Sequence, residues 1–245
     1  MRLTILIITL LIPTLNYAND NEYTIDRLDW EKLLSNKSTV SVENLYGNIL
    51  IKKAYSNSFV IHAVNQNHKS KVRNKAKFQI DELDNQISIK VIFNNPTELE
   101  RSDISLVMPK DNHLTISMKD GKLTAKKIIN PISIKTDSAE VYLTTKSEFD
   151  VFSKSGDVFV KILEDSKNQT SNIQSFTGNI TLQFLADKPY IDVVSGKTVT
   201  SNSAELLMTK KHLKRHDLFN DPASSTKVTI KSDTGNVILI DKNTN

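Results

Sequence analysis

The chain has 245 residues, of which 38% are hydrophobic and 24% charged, and it contains no cysteine. This length and composition are typical of a soluble globular protein with one sizeable core, and the lack of cysteine excludes disulfide bonds and a cysteine nucleophile. The formal net charge of +4 at pH 7 is too small to identify a class of binding partner.

The N-terminus has the pattern of a secretory signal peptide. An apolar run from Leu3 to Leu15 follows Arg2, and the residues after Ala18 are polar. The run is too short for a membrane-spanning helix and has the length of the apolar region of a signal peptide. We therefore predict a signal peptide over residues 1–18, export to the periplasm or cell surface, and no transmembrane segment in the mature chain.

Residues 19–37 are predicted to form an N-terminal cap. They contain apolar residues and the only tryptophan, Trp30, and Asp29 is a suitable N-cap for a short helix that begins at Trp30. The residues that follow repeat one pattern, and the first unit of a repeat protein needs an amphipathic cover over its open face. A segment that docks a partner is the alternative interpretation.

The repeated pattern is a small residue at a corner, flanked by alternating apolar residues. The corner positions, which include all six glycines, are Gly47, Gly121, Ala139, Gly156, Gly178, Gly196 and Gly235. Five residues before each corner stands a β-branched apolar residue, and the residues two and four after it are apolar in every copy except that of Gly196. This predicts two short strands joined at a bend, where glycine permits a positive φ.

The spacing of the corners predicts how the strands stack. Between residues 121 and 196 successive corners are 17 to 22 residues apart. A period near twenty is typical of a solenoid, so we predict an all-β, parallel β-solenoid with coils of about twenty residues, forming a single domain over 38–245. Residues 201–224 are predicted to be an insertion, as a short helix or loop. A β-sandwich is the alternative fold, although it does not require an identical register in every copy.

The motifs also resemble a known family. The segment Val40–Ile49, the step Leu106–Pro109 and the Ser/Thr-Gly-Asn/Asp-Ile/Val corners are similar to those of the bacterial putative-adhesin domains of unknown function, over about residues 38–240. This resemblance implies a right-handed β-solenoid and an adhesin-like role, and it implies no particular chemistry. The chain departs from the pattern at Ala139 and in the insertion before Val228.

One basic stretch is a candidate contact for an anionic polymer. Its basic residues alternate with others, so that in an extended strand they would all face one side: Lys69, Lys71, Arg73, Lys75 and Lys77. Such a positive stripe attracts lipopolysaccharide phosphate or an acidic glycan by long-range electrostatics and counterion release. The alternatives are an edge strand protected by lysines or a solvated loop.

No catalytic residue, metal site or cofactor is predicted. Glu140 and Asp157 follow successive corners and would lie about 5 Å apart, as in a retaining glycosidase, but any two acidic residues in one column share that separation. His212 and His216 have the spacing of two ligands on a helix, but they lack the glutamate of a zinc hydrolase and have cationic neighbours. The basic stretches lack the interleaved aromatics of nucleic-acid binders.

The sequence therefore predicts an exported binding or structural module of the cell envelope. Its partner would be an envelope or host glycan, another anionic polymer, or a protein. A polysaccharide lyase or hydrolase on a solenoid scaffold is the alternative, which rests on fold analogy alone.

Overall fold

A computed structural model describes residues 23–68, 77–93, 100–163, 169–185, 190–202, 207–209, 212–214 and 226–242. Every helical or strand element within these ranges is a β-strand, so the all-β prediction is confirmed. The described residues contain no helix with the length and apolar character needed to span a bilayer. The predicted signal peptide, residues 1–18, lies outside the described residues.

The strands are numbered in chain order. The first seven are β1 (Tyr23–Leu33), β2 (Thr39–Tyr46), β3 (Ile49–Lys53), β4 (Ser58–His68), β5 (Lys77–Leu83), β6 (Gln86–Ile92) and β7 (Arg101–Met108). The next eight are β8 (His113–Asp120), β9 (Lys122–Ile128), β10 (Ile132–Thr136), β11 (Glu140–Thr145), β12 (Phe149–Ser153), β13 (Val158–Ile162), β14 (Thr170–Ser175) and β15 (Ile180–Phe184). The last six are β16 (Tyr190–Ser195), β17 (Val199–Ser201), β18 (Leu207–Thr209), β19 (His212–Lys214), β20 (Lys227–Ser232) and β21 (Val237–Asp241).

Among the described residues the strands form two open, mixed sheets. Sheet 1 has the order β1-β4-β7-β3-β9-β11-β13-β15-β21-β17, and sheet 2 has the order β18-β19-β16-β20-β14-β12-β10-β8-β2-β6-β5. From β8 to β15 consecutive strands alternate between the two sheets, and each pairs in parallel with the strand two places along the chain. Antiparallel pairs occur between β1, β4 and β7, between β5 and β6, and between β16, β19 and β18.

The two sheets enclose one hydrophobic core. The β-branched residues predicted to face inward, five positions before each corner, are all buried: Val42, Ile116, Ile134, Val151, Ile173, Ile191 and Ile230. Full burial of an aliphatic side chain contributes about 1.5–3 kcal/mol, so these residues together make a large contribution to the stability of the fold. A two-sheet sandwich and a solenoid both have such a core between facing sheets.

The spatial order of the strands differs from the chain order at both ends. Strands β20 and β21 lie between β14/β15 and β16/β17, although they come last in the chain. In the same way, β2 and β3 lie between β6/β7 and β8/β9. The expectation that each coil stacks on its predecessor in sequence is therefore wrong at the two ends.

This order changes the column of residues that follow the corners. The Asn179 side chain is next to Asn236, whose backbone N–H and Nδ2 donate to Asn179 Oδ1 at 3.1 and 3.2 Å. Thr198 Oγ1 then donates to Asn236 Oδ1 at 2.6 Å. The residue after the Gly178 corner therefore adjoins Asn236 and not Lys197, because the C-terminal coil lies between the coils of Gly178 and Gly196.

The corner glycines are required mainly by close backbone approach. Only Gly47 and Gly121 have the expected positive φ, at 121° and 119°. At Gly178 a Cβ would overlap the carbonyl oxygen of Gly156 and lie 2.7 Å from its carbonyl carbon, and Gly156 has the same relation to Ala139. The glycine carbonyls of neighbouring coils thus stack so closely that no side chain fits between them.

A buried serine hydroxyl three residues before the corner closes the turns at Gly156, Gly178 and Gly235. Ser153 Oγ donates to the Gly156 carbonyl at 2.7 Å, and Ser175 Oγ donates to that of Gly178 at 3.0 Å. Ser232 repeats the arrangement at Gly235. These serines are almost completely buried, so their hydrogen bonds satisfy groups that would otherwise be costly to remove from water.

The predicted helix at Trp30 is wrong, because this segment is strand β1. The strand pairs with β4 along its whole length, which supplies backbone hydrogen bonds that a short helix cannot match. Its alternate residues Leu28 and Trp30 are half-buried, and the Trp30 ring packs edge-on against Phe59 with centroids 5.9 Å apart. An ion pair between Lys32 and Glu82 joins this edge strand of sheet 1 to the edge strand β5 of sheet 2.

The predicted insertion over 201–224 contains strands where the structure describes it. Strand β19 pairs antiparallel with both β16 and β18, so residues 207–209 and 212–214 are not helical. The other residues between 203 and 225 lie outside the described part of the chain.

Candidate functional site

A cationic groove lies on the outer face of sheet 1. Its cavity has a volume of about 440 Å³ and is lined by Lys52, Lys53, Tyr55, Lys126, Lys127, Ile129 and Lys146. We call it the lysine groove. None of its lining residues is acidic.

The pairing of β3 with β9 brings the first lysines together. Lys52, near the end of β3, lies directly opposite Lys126 in the parallel strand β9. Residues opposite each other on neighbouring strands are about 4.8 Å apart and project from the same face of the sheet. Their two ammonium groups therefore share one side of sheet 1.

A β-bulge adds Lys127 to the same face. Ala125 pairs with Leu143 and Ile128 pairs with Thr145, so β9 has one residue more than β11 between these two pairs. Ala125 and Ile128 are both buried, and the two lysines between them are both exposed. In a regular strand Lys127 would point into the core, and the bulge prevents this.

The bulge places Lys127 in a backbone conformation that lysine rarely adopts. Its φ is 52°, in the left-handed region where non-glycine residues are uncommon. A strained residue persists only where the surrounding structure stabilises it, and such residues are concentrated at functional sites. The strain supports a functional interpretation of the lysine pair.

Four of the five groove lysines make no charge-neutralising contact within the described part of the chain. Within the ranges that the structure describes, the side chains of Lys52, Lys53, Lys126 and Lys127 make no ion pair and no hydrogen bond. Like charges on neighbouring strands repel one another, and an anion bound between these lysines would relieve that repulsion. Lys146 completes the lining, and its backbone N–H donates to the Ile128 carbonyl at 2.9 Å.

The predicted basic stripe is only partly described. Lys69, Lys71, Arg73 and Lys75 lie outside the described residues. Lys77 is the first residue of β5 and is exposed, and β5 is an edge strand of sheet 2. The structure therefore places Lys77 on the other sheet from the lysine groove.

The pair Glu140 and Asp157 forms part of a structural ladder. The two residues adjoin on neighbouring strands, one position before the pair formed by Val141 and Val158. The Asp157 carboxylate accepts hydrogen bonds from the backbone N–H and Nδ2 of Asn179, at 2.8 and 3.2 Å. These bonds connect successive coils and explain an acidic residue at this position without catalysis.

A second polar cluster among the described residues lies at His113 and Ser133. In a cavity of about 110 Å³ on sheet 2, Ser133 Oγ lies 3.4 Å from His113 Nε2. No carboxylate of a described residue bonds to His113, so the arrangement of a catalytic triad is missing. The described ranges also hold no group of three or more potential metal ligands. His212 lies in β19, and His216 is outside these ranges.

No protein-family model and no curated protein matches this sequence. Several solved structures are similar to the chain. A putative cell adhesion protein from Clostridium sporogenes is 12% identical, with a TM-score of 0.46, and the match covers 89% of this chain and 100% of that one. A putative adhesin from Bacteroides fragilis is 10% identical, with a TM-score of 0.41, and the match covers 87% and 97%.

A putative adhesin from Parabacteroides merdae is 9% identical, with a TM-score of 0.33 and coverage of 90% and 97%. These three structures are described as a putative cell adhesion protein and two putative adhesins, and the sequence motifs of this chain resemble those of bacterial putative-adhesin domains.

Proposed function

We propose that this protein is an exported, adhesin-like binding module of the cell envelope that holds an anionic polymer in the lysine groove. The observation that carries the proposal is the cluster of four exposed lysines that a β-bulge and a strand pairing bring together, with no acidic partner among the described residues. Catalysis is not part of the proposal.

The fold in this proposal is a right-handed β-solenoid with coils of about twenty residues. The alternation of strands between the two sheets from β8 to β15 and their in-register parallel pairing support it. The domain would extend over 38–245 and follow a signal peptide cleaved after Ala18. The apolar run from Leu3 to Leu15 supports export.

A polymer suits the groove better than a single small anion. One exposed ion pair contributes only about 0–1 kcal/mol, because water and salt screen it. A polymer that presents several anionic groups binds several lysines at once and releases its condensed counterions. The lysine groove would gain affinity in this way without a deep pocket.

Charge reversal in the groove should abolish most of this binding. We expect the triple variant Lys52→Glu, Lys126→Glu and Lys127→Glu to bind polygalacturonate at least tenfold more weakly than wild type, because three attractive contacts become repulsive. The measurement is equilibrium binding at low salt, with neutral dextran as a ligand that should not bind.

The matched control reverses three exposed lysines, two in strands of sheet 2 and one directly after β12: Lys135, Lys227 and Lys154. It changes the net charge by the same amount and should alter the affinity by less than about threefold. Equal losses in the two variants would show that total charge, not the groove, determines binding. Full affinity in the groove variant would contradict the proposal directly.

We also propose the basic stretch as a second contact for the same polymer. The alternation of its basic residues and the exposure of Lys77 support this. Replacing Lys71, Arg73 and Lys75 by glutamate should weaken polygalacturonate binding about tenfold and leave the melting temperature unchanged. Unchanged affinity in that variant would limit the binding surface to the groove.

A further inference from the structure

Tyr55 presents its whole ring to solvent at the rim of the lysine groove. Its relative exposure is 102%, compared with 73% for Leu33, another exposed apolar side chain. Within the described ranges its ring neither stacks on another aromatic side chain nor makes a hydrogen bond. The side chain therefore contributes nothing to the packing of this fold.

The turn that carries Tyr55 is held on both sides. The Ala54 N–H donates to the Met108 carbonyl at 2.8 Å, and the Asn57 carbonyl accepts from the Leu34 N–H at 3.1 Å. Ala54 is also buried in the core. Because the backbone of this turn is anchored, a ligand that contacts the Tyr55 ring need not order a loose loop.

The groove combines apolar and cationic surface. Ile129, the Tyr55 ring and the aliphatic stems of the lysines supply apolar area, and the ammonium groups lie at the ends of those stems. A matching ligand has an apolar face and anionic substituents at its edge. A sugar ring with carboxylate or sulfate groups has both, because its C–H groups are attracted to the negative face of an aromatic ring.

We infer that the lysine groove takes an acidic saccharide, with one sugar ring stacked on Tyr55 and its anionic groups bound by the neighbouring lysines. The inference rests on the proposed function. Inorganic polyphosphate has the charge but no apolar face. Single-stranded nucleic acid is bound by a series of aromatic side chains on which successive bases stack, whereas the groove is lined by one.

The test compares Tyr55→Ala and Tyr55→Phe in the full chain, with two anionic probes. For a galacturonate hexamer we expect Tyr55→Ala to lower the affinity about tenfold and Tyr55→Phe to retain it within about threefold, because phenylalanine keeps the ring face. For polyphosphate with the same charge as the galacturonate hexamer, both variants should have the affinity of the wild-type protein.

The outcomes separate this inference from the proposed function. If the groove charge reversals abolish binding of both probes but Tyr55→Ala affects neither, the groove binds anions and the saccharide inference is wrong. An equal loss for both probes in Tyr55→Ala would also contradict stacking. A thymidine oligonucleotide is the third probe. If it bound more tightly than the galacturonate hexamer and lost this binding in Tyr55→Ala, the ligand of the groove would be nucleic acid and the saccharide inference would be wrong.

Discussion

Gly178→Val should destabilise the protein by about 3 kcal/mol or more, at the upper end of overpacking effects. The cause is steric, since a Cβ at this position overlaps the Gly156 carbonyl group of the adjacent coil. Relieving the overlap would separate β13 from β15 and weaken their parallel pairing. Urea denaturation measures the loss in the free energy of unfolding. In thermal unfolding we expect the melting temperature to fall by about 6–12 °C for a domain of this size.

Two further substitutions show whether close approach is the cause. Gly178→Ala should also be clearly destabilising, because the first side-chain carbon already overlaps the backbone. Ala139 occupies a corner in the same column with its Cβ accommodated, so Ala139→Gly should cost only about 1 kcal/mol. If Gly178→Ala unfolded at the same urea concentration as wild type, the stacking of the corner carbonyls would be wrong.

Deleting residues 226–245 removes β20 and β21 and should also unfold the neighbouring strands β16 and β17. Strands β16 and β17 pair in parallel only with β20 and β21 among the described strands. The deletion also removes four buried aliphatic side chains: Val228, Ile230, Val237 and Leu239. At about 1.5–3 kcal/mol each, their loss is comparable with the total stability of a typical domain.

Amide hydrogen exchange measures the effect of this deletion segment by segment. In the deletion variant, the amides of residues 190–202 should lose their protection from exchange completely. The amides of residues 113–145 should remain protected, because the strands that pair with this segment are still present. Deleting only residues 243–245 is the control and should change nothing. Protected amides over 190–202 in the long deletion would contradict the strand order.

The core could be predicted from sequence, but the order of the coils could not. The corner pattern predicts the buried residues correctly because apolar alternation depends only on local geometry. The copies repeat the same residue pattern in sequence, so nothing in the pattern states which coil adjoins which. The structure shifts the Gly196 copy by two residues, so that Ile191 pairs with Val228. One signal of the strand order is nevertheless present in the Gly196 copy, where Thr198 and Thr200 replace apolar residues. This copy contains β17, the edge strand of sheet 1, and an edge position is consistent with polar residues.

The errors at Trp30 and at the lysines have different causes. Around Trp30 the apolar residues fit both a helical spacing and the period of two of a strand. The segment forms a strand because it pairs with the long strand β4. The lysine groove was missed because its lysines come from two doublets that are distant in sequence and meet in space. A bulge cannot be read from composition, yet each doublet does interrupt the alternation of its strand.

The salt dependence of polygalacturonate binding tests the central proposal most directly. If the lysine groove contacts three or four anionic groups, the logarithm of the association constant should fall with the logarithm of salt concentration with a slope of about −2 to −4. The triple charge reversal in the groove should remove most of that slope, and the matched control should preserve it. A slope near zero for the wild-type protein, or an equal slope for the groove variant, would contradict the account.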